Sequence, residues 1–212
     1  MSTKCYYLFI RKRSLSIYSH NLYSLYMAYI NIIEPENASG ALRSIYEELE
    51  RKRGKLAQIH KIQSLNPDTI TTHMDLYMSI MFSKSPLSRA QREMMAVVVS
   101  AQNGCGYCIG HHGEALNHYW KDADKVARLA RDFTLVELEN VDVHLCKLAK
   151  VLTISPQKVE EKKDITPLKK DGLSDRAILD AVLVISYFNF VNRIVLGLGV
   201  ETDEEEVRGY KY

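Results

Sequence analysis

Chain breakers are scarce. Glycine and proline together make up 15 of 212 residues, against an average usage of roughly 12%. So few breakers over this length argue for long helices and against a sandwich of many short strands. Long apolar runs are missing too. The uncharged stretch Met94–Gly110 has 17 residues but includes Ser, Gln, Asn and three Gly, and the apolar run Ala181–Asn192 stops at Arg193. A spanning helix needs about 20 predominantly apolar residues, so no membrane segment is expected. Four cysteines are too few for a secreted disulfide scaffold, and a cytoplasmic setting is expected. A net charge of +2 carries no general footprint for nucleic acid. Acidic residues are absent before Glu34, so residues 1–33 carry +4 and the remainder −2.

What is present is the composition of one folded domain: 46% hydrophobic and 25% charged residues. Residues 1–26 differ from the rest. They hold five of the thirteen tyrosines, with Ser and basic residues and no capped helix. They are read as an N-terminal extension outside the fold, with Met27 as an alternative start and 27–212 as the domain. From Ser39 the chain reads as a series of capped helices. Leu42, Ile45, Tyr46 and Leu49 form a helical stripe closed by Arg51, Lys52, Arg53 and Gly54. Asn66-Pro67 opens a second helix. Ser88-x-x-Gln91 is a capping box for a third, which Asn103-Gly104 ends. A helix then runs from near Cys105 to about Tyr119. Asp122 and Thr134-x-x-Glu137 are further N-caps, and Ser155-Pro156 and Thr166-Pro167 place Pro at first helical positions. Ser174 caps a long helix that is apolar on most of its circumference, a pattern of a central or interface helix. The acidic run Glu201–Glu206 reads as a solvated end. The fold class is all-α.

The chemistry concentrates in SRAQREMMAVVVSAQNGCGYCIGHHGE, Ser88–Glu114. Cys105 and Cys108 are separated by two residues at a helix start, where unsatisfied backbone N–H groups and the helix dipole stabilise a thiolate. His112 lies one turn beyond Cys108 on the same face, and His111 is also within reach. Glu93, on the preceding helix, reaches the histidine if the chain folds back at Gly104. That is a nucleophile, a base and an orienter for the base. Other readings of the same residues remain. A structural zinc site of Cys105, Cys108, His111 and His112 is crowded within eight residues. Haem attachment needs His directly after the second Cys, where Ile109 stands. A thioredoxin needs a βαβ context. Two inert buried thiols are the bland alternative. Cys146 reads as a core thiol, and Tyr187, Asn189 and Asn192 are either pocket-lining groups or, more commonly for such positions, satisfied core or interface polars, and are left out of the site.

Glu93, Cys105-x-x-Cys108 and His112, at this spacing, resemble the motif of the alkylhydroperoxidase D / carboxymuconolactone decarboxylase superfamily, in particular its uncharacterized peroxidase-related branch. The stretches IIEPENASGALRSIYEELERKRG and GLSDRAILDAVLVISYFNFVNRIVLGLGVE are similar to that branch as well, so the resemblance covers about Ala28 to Glu201. It implies an alkylhydroperoxidase D-like helical fold, a homo-oligomer (trimer or hexamer) and a cofactor-free, metal-free thiol peroxidase. It implies a hydroperoxide substrate and an external dithiol as reductant. By motif position Cys108 is the peroxidatic thiol and Cys105 the resolving one, with His112 and Glu93 relaying protons. One departure stands out. The alkylhydroperoxidase proper has His immediately before its second Cys, and here that place is Tyr107, which is no base near neutral pH. The departure keeps two rivals in view: a redox-responsive disulfide-exchange oligomer, and a lactone decarboxylase-like enzyme on the same fold.

Overall fold

The computed structural model describes residues 28–201 and 204–207, and among these every regular element is helical. The expected extension 1–26 lies outside the described residues. Helix α1 (Gly40–Arg53) buries Leu42, Tyr46 and Leu49 and ends at Gly54 in the left-handed conformation. A single turn, α2 (Gln58–Lys61), follows; it had no sequence signal. Helix α3 (Pro67–Phe82) starts at the expected Pro.

Helix α4 (Arg89–Asn103) is the centre of the molecule. Its capping box forms, with Ser88 Oγ accepting from Gln91 N–H and Gln91 Oε1 accepting from Ser88 N–H. Every residue from Arg92 to Ser100 is buried. The remaining helices pack round it: α5 (Gly106–Trp120), α6 (Ala123–Arg131), α7 (Asn140–Ile154) and α9 (Asp175–Leu198), while the short α8 (Thr166–Lys170) packs on α7. Gly104, at φ +69°, turns the chain from α4 into α5. Its N–H reaches Ala101 O at 3.1 Å, and Cys105 N–H reaches Ser100 O at 2.9 Å. This closure sets the two cysteines at the first turn of α5 against the buried α4. A second, smaller core forms from Ala38, Leu42, Tyr46, Leu49, Ile70 and Met74, and Tyr77 packs against both cores.

Asp122 and Ser174 cap as the sequence predicts. One other expectation needs correction. Thr134 does not begin a capped helix. The Asp132 carboxylate takes its N–H and Oγ–H, each at 2.9 Å, which closes a 3-10 turn at Phe133–Leu135 and delays α7 to Asn140. The two prolines stand in first helical turns as predicted: Pro156 opens a 3-10 turn, Pro156–Lys158, and Pro167 is in the first turn of α8, which follows a wide turn at Glu161–Ile165.

By length and composition, α9 is long and apolar enough to cross a membrane. Its position is that of a core helix: Ala181, Val184, Ile185, Phe188 and Val195 are at most 2% exposed, and its buried face also carries Asp180 and Asn192. Leu179, Leu183 and Phe190 remain exposed.

Candidate active site

Cys108 and Cys105 are both reduced and almost fully buried, at 1% and 0% exposure. They are not equivalent. Cys108 lines a cavity of about 90 Å³; Cys105 lies behind it and does not reach the wall. The two thiols interact through their sulfurs, and the Cys108 backbone adds to the effect on Cys105. Those interactions pull the Cys105 thiol below its ordinary pKa against the opposing effect of burial. Cys108 moves the other way. The contact with Cys105, then burial, push it far up, and a hydrogen bond from Asn192 only partly offsets this. The thiolate stabilisation expected at this helix start is therefore not shared: the contact between the sulfurs lowers Cys105 and raises Cys108.

Removing that proton needs a base, and the structure brings together the one the sequence predicts. His112 Nδ1 is 2.7 Å from Glu93 Oε2. Glu93 is completely buried, and Arg89 donates to its other oxygen at 2.9 and 2.6 Å. Burial would raise the Glu93 pKa, but His112 and then Arg89 outweigh it and hold the carboxyl below its usual range. An ionised Glu93 can only accept, so Nδ1 is the nitrogen that carries a hydrogen in this bond, and the neutral tautomer it selects has its lone pair on Nε2. The edge of the His112 ring meets Phe188, with centroids 4.3 Å apart. Ring packing and the Glu93 bond together fix tautomer and orientation.

Several cavity groups escaped the sequence reading. Gln63 Nε2 donates to Ile59 O at 2.7 Å and to His73 Nδ1 at 2.9 Å. His73 must then donate from Nε2 to Tyr187 Oη at 2.6 Å, leaving the Tyr187 hydroxyl proton for another acceptor. Burial holds Tyr187 well above its ordinary pKa, so it remains a donor. Tyr187 thus lines the cavity, the less frequent of the two roles its sequence position offers. Asn192 does behave as a satisfied core group: it accepts from Asn103 at 2.9 Å and donates to Ser100 Oγ at 3.2 Å.

The acidic tail is also corrected. Glu206, in the turn α10 (Glu204–Val207), is 9% exposed rather than solvated. It accepts from Tyr107 Oη at 2.5 Å and from Gln58 N–H at 3.0 Å, and lies 3.2 Å from His111 Nε2. Tyr107 in turn accepts from Ile59 N–H at 3.2 Å. Tyr107, directly before Cys108, is thereby locked to the tail and to α2. Cys146 is a core thiol as expected, with burial raising its pKa. Among the described residues no three His, Cys, Asp or Glu side chains converge to hold a metal ion.

Burial pushes His60 down to about 3 and His73 to about 4. Both titrate near 6.5 in the unfolded chain. Between these values the unfolded state binds protons that the folded state does not, so stability rises with pH. The contribution is complete above about 6.5 and is lost as pH falls toward 4. Denaturant titrations between about pH 6 and 4 are expected to show stability falling by about 1 kcal/mol per pH unit for each histidine, and His60→Phe is expected to flatten the slope. A level profile from pH 7 to 5 would contradict these burial assignments.

The carboxymuconolactone decarboxylase family model matches residues 67–132, from the start of α3 to the end of α6. An uncharacterized peroxidase-related protein from Silicibacter sp. TM1040 superposes with a TM-score of 0.73 at 26% identity, covering 84% of this chain and 91% of its own. An alkylhydroperoxidase AhpD core protein from Ralstonia eutropha JMP134, also uncharacterized and peroxidase-related, gives a TM-score of 0.78 at 21% identity, covering 87% and 96%. The debrominase Bmp8 shares the fold at a TM-score of 0.68 and 18% identity, covering 87% and 99%. No curated protein matches the sequence.

Proposed function

Because the chain belongs to the alkylhydroperoxidase D / carboxymuconolactone decarboxylase superfamily, we propose that it is a cofactor-free thiol peroxidase working through Cys108 and Cys105. The observation that carries this reading is the asymmetry of the pair: Cys108 is on the cavity wall beside the His112–Glu93 couple, and Cys105 is hydrogen-bonded behind it. Cys108 gives its proton to His112 Nε2 and its sulfur attacks the nearer oxygen of the hydroperoxide. The O–O bond breaks, and the departing oxygen takes the proton and leaves as alcohol. Cys108 is now a sulfenic acid. The Cys105 sulfur attacks it, the hydroxyl leaves as water with the Cys105 proton, and a disulfide closes. An external dithiol restores both thiols by exchange. Tyr187 supplies a neutral hydrogen bond inside the cavity during oxygen transfer.

The resolving role of Cys105 has a direct test. Cys105→Ser is expected to react once with peroxide and stop, with a sulfenic acid at Cys108 that dimedone labels. Labelling at another residue, or continued turnover with dithiol, would overturn the assignment. A second reading, disulfide exchange without useful peroxide turnover, draws on the strongly held Cys108 proton and the tail-locked Tyr107. Its mark is a change of oligomeric state with the 105–108 disulfide at negligible peroxide consumption.

A further inference from the structure

Peroxide chemistry at Cys108 leaves part of the cavity wall unexplained. Arg53, the last residue of α1, lines the cavity. A guanidinium offers five N–H donors. Here Nη1 reaches only the Met78 thioether, at 3.9 Å, and the group otherwise lies over the rings of Tyr77 and Phe82, 5.6 and 5.0 Å from their centroids. Among the described residues no carboxylate pairs with it. Arg89 is the contrast. It also lines the cavity and lies over Phe82, at 3.6 Å, but Glu93 answers its charge. Glu206 is engaged by Tyr107, Gln58 and His111.

A second, independent feature is on the same wall. His60 is 8% exposed and lines the cavity, and its Nδ1 is buried with no hydrogen-bond partner. Buried polar atoms are paired in the great majority of cases; the ring lines the cavity, and a small turn of it would bring this nitrogen to a ligand there. The remaining lining is apolar and aromatic, including Met74, Tyr77, Phe188 and Val191. One unanswered planar cation and one neutral imidazole N–H, set among rings, suit a singly charged planar anion better than a phosphate.

We propose that Arg53 and His60 form a carboxylate-binding subsite of the cavity, so that the preferred hydroperoxides are small organic molecules bearing a carboxylate. The guanidinium takes the carboxylate as a fork, and the His60 ring donates one N–H to it. The space of about 90 Å³ is smaller than the ~150 Å³ cavity that takes a benzene ring, so the part of the substrate held inside it is limited to a few carbons around the O–O bond. The peroxide end of this inference rests on the thiol peroxidase reading; the anion end does not.

The test uses two size-matched tertiary alkyl hydroperoxides, one neutral and one with a carboxylate on one arm. Wild-type protein is expected to favour the carboxylated compound by about tenfold or more in kcat/KM, the scale of one charge-assisted hydrogen bond. In Arg53→Met the ratio is expected to fall to about twofold or less, whatever the absolute rates, and Arg53→Lys should restore part of it. Equal use of the two compounds by wild type, or an unchanged ratio in Arg53→Met, would overturn the subsite. Isobutyrate and isobutyramide, which cannot react, separate this inference from the peroxidase reading. Calorimetric binding of isobutyrate that isobutyramide does not show, and that Arg53→Met loses, upholds the subsite even if no peroxide is consumed. Peroxide turnover with no carboxylate preference and no isobutyrate binding would refute the subsite and leave the peroxidase standing.

Discussion

Cys108→Ser is expected to lower peroxide consumption by about a thousandfold or more, since losing a nucleophile removes the reaction path and not one contribution to it. The fold is expected to survive. Ser is slightly smaller, and its hydroxyl still has the Cys105 sulfur and Asn192 as partners, so a loss of about 1 kcal/mol is the right scale. Circular dichroism and a thermal melt would establish that the variant is folded before its activity is read. Cys146→Ser serves as the control. Cys146 is as deeply buried as Cys108 but does not line the cavity, so its replacement should alter stability and not the chemistry. Rapid peroxide turnover by Cys108→Ser would move the reaction to another thiol.

Glu93→Gln should damage stability and activity together. Glu93 is fully buried, while Arg89 and His112 side chains are 13% and 14% exposed, so solvent screens neither partner well. Breaking a buried pair by neutralising one member leaves an uncompensated charge, at a cost of about 3 kcal/mol. For a domain of this size that corresponds to a drop of about 6–12 °C in Tm. The amide also has a donor face, so it no longer dictates which His112 nitrogen carries the proton. Loss of a well-set general base costs about a hundredfold in rate. The two effects have different pH dependence. Glu93, held below its usual range, stabilises the fold fully above about pH 4.5, and that stabilisation is lost as pH falls through its lower folded value. Glu93→Gln should remove this acid-side contribution while leaving the His60 and His73 slope in place. A Tm and kcat both close to wild type would contradict the proposed relay.

The fold was legible wherever local chemistry decides. Ser88 with Gln91, Asp122, Ser174 and Gly104 act where their types predict, because caps and left-handed turns are settled by a few neighbouring atoms. Thr134 misled because Asp132, two residues earlier, competes for the same N–H with a charged acceptor. The heart of the site was also legible, since Cys105, Cys108 and His112 share one helix start and Glu93 needs only the Gly104 reversal to reach them. The rest of the cavity was not. Arg53, His60, His73 and Tyr187 come from α1, α2, α3 and α9, and Glu206 from α10. No spacing rule joins them, and each has a bland local reading: a C-terminal helix cation, two ordinary histidines, a core tyrosine and one acid in an acidic run. The pKa order of the two cysteines was likewise hidden, because it depends on how the two buried sulfurs meet each other.

The central claim is that the 105–108 pair transfers two electrons to a hydroperoxide. Its most direct test is intact-mass analysis and peptide mapping of the reduced protein after one equivalent of an organic hydroperoxide. The account predicts the loss of two hydrogens, mapped to a Cys105–Cys108 bridge and reversed by a dithiol. Thiols that remain unchanged, or oxidation confined to Cys146, would contradict it.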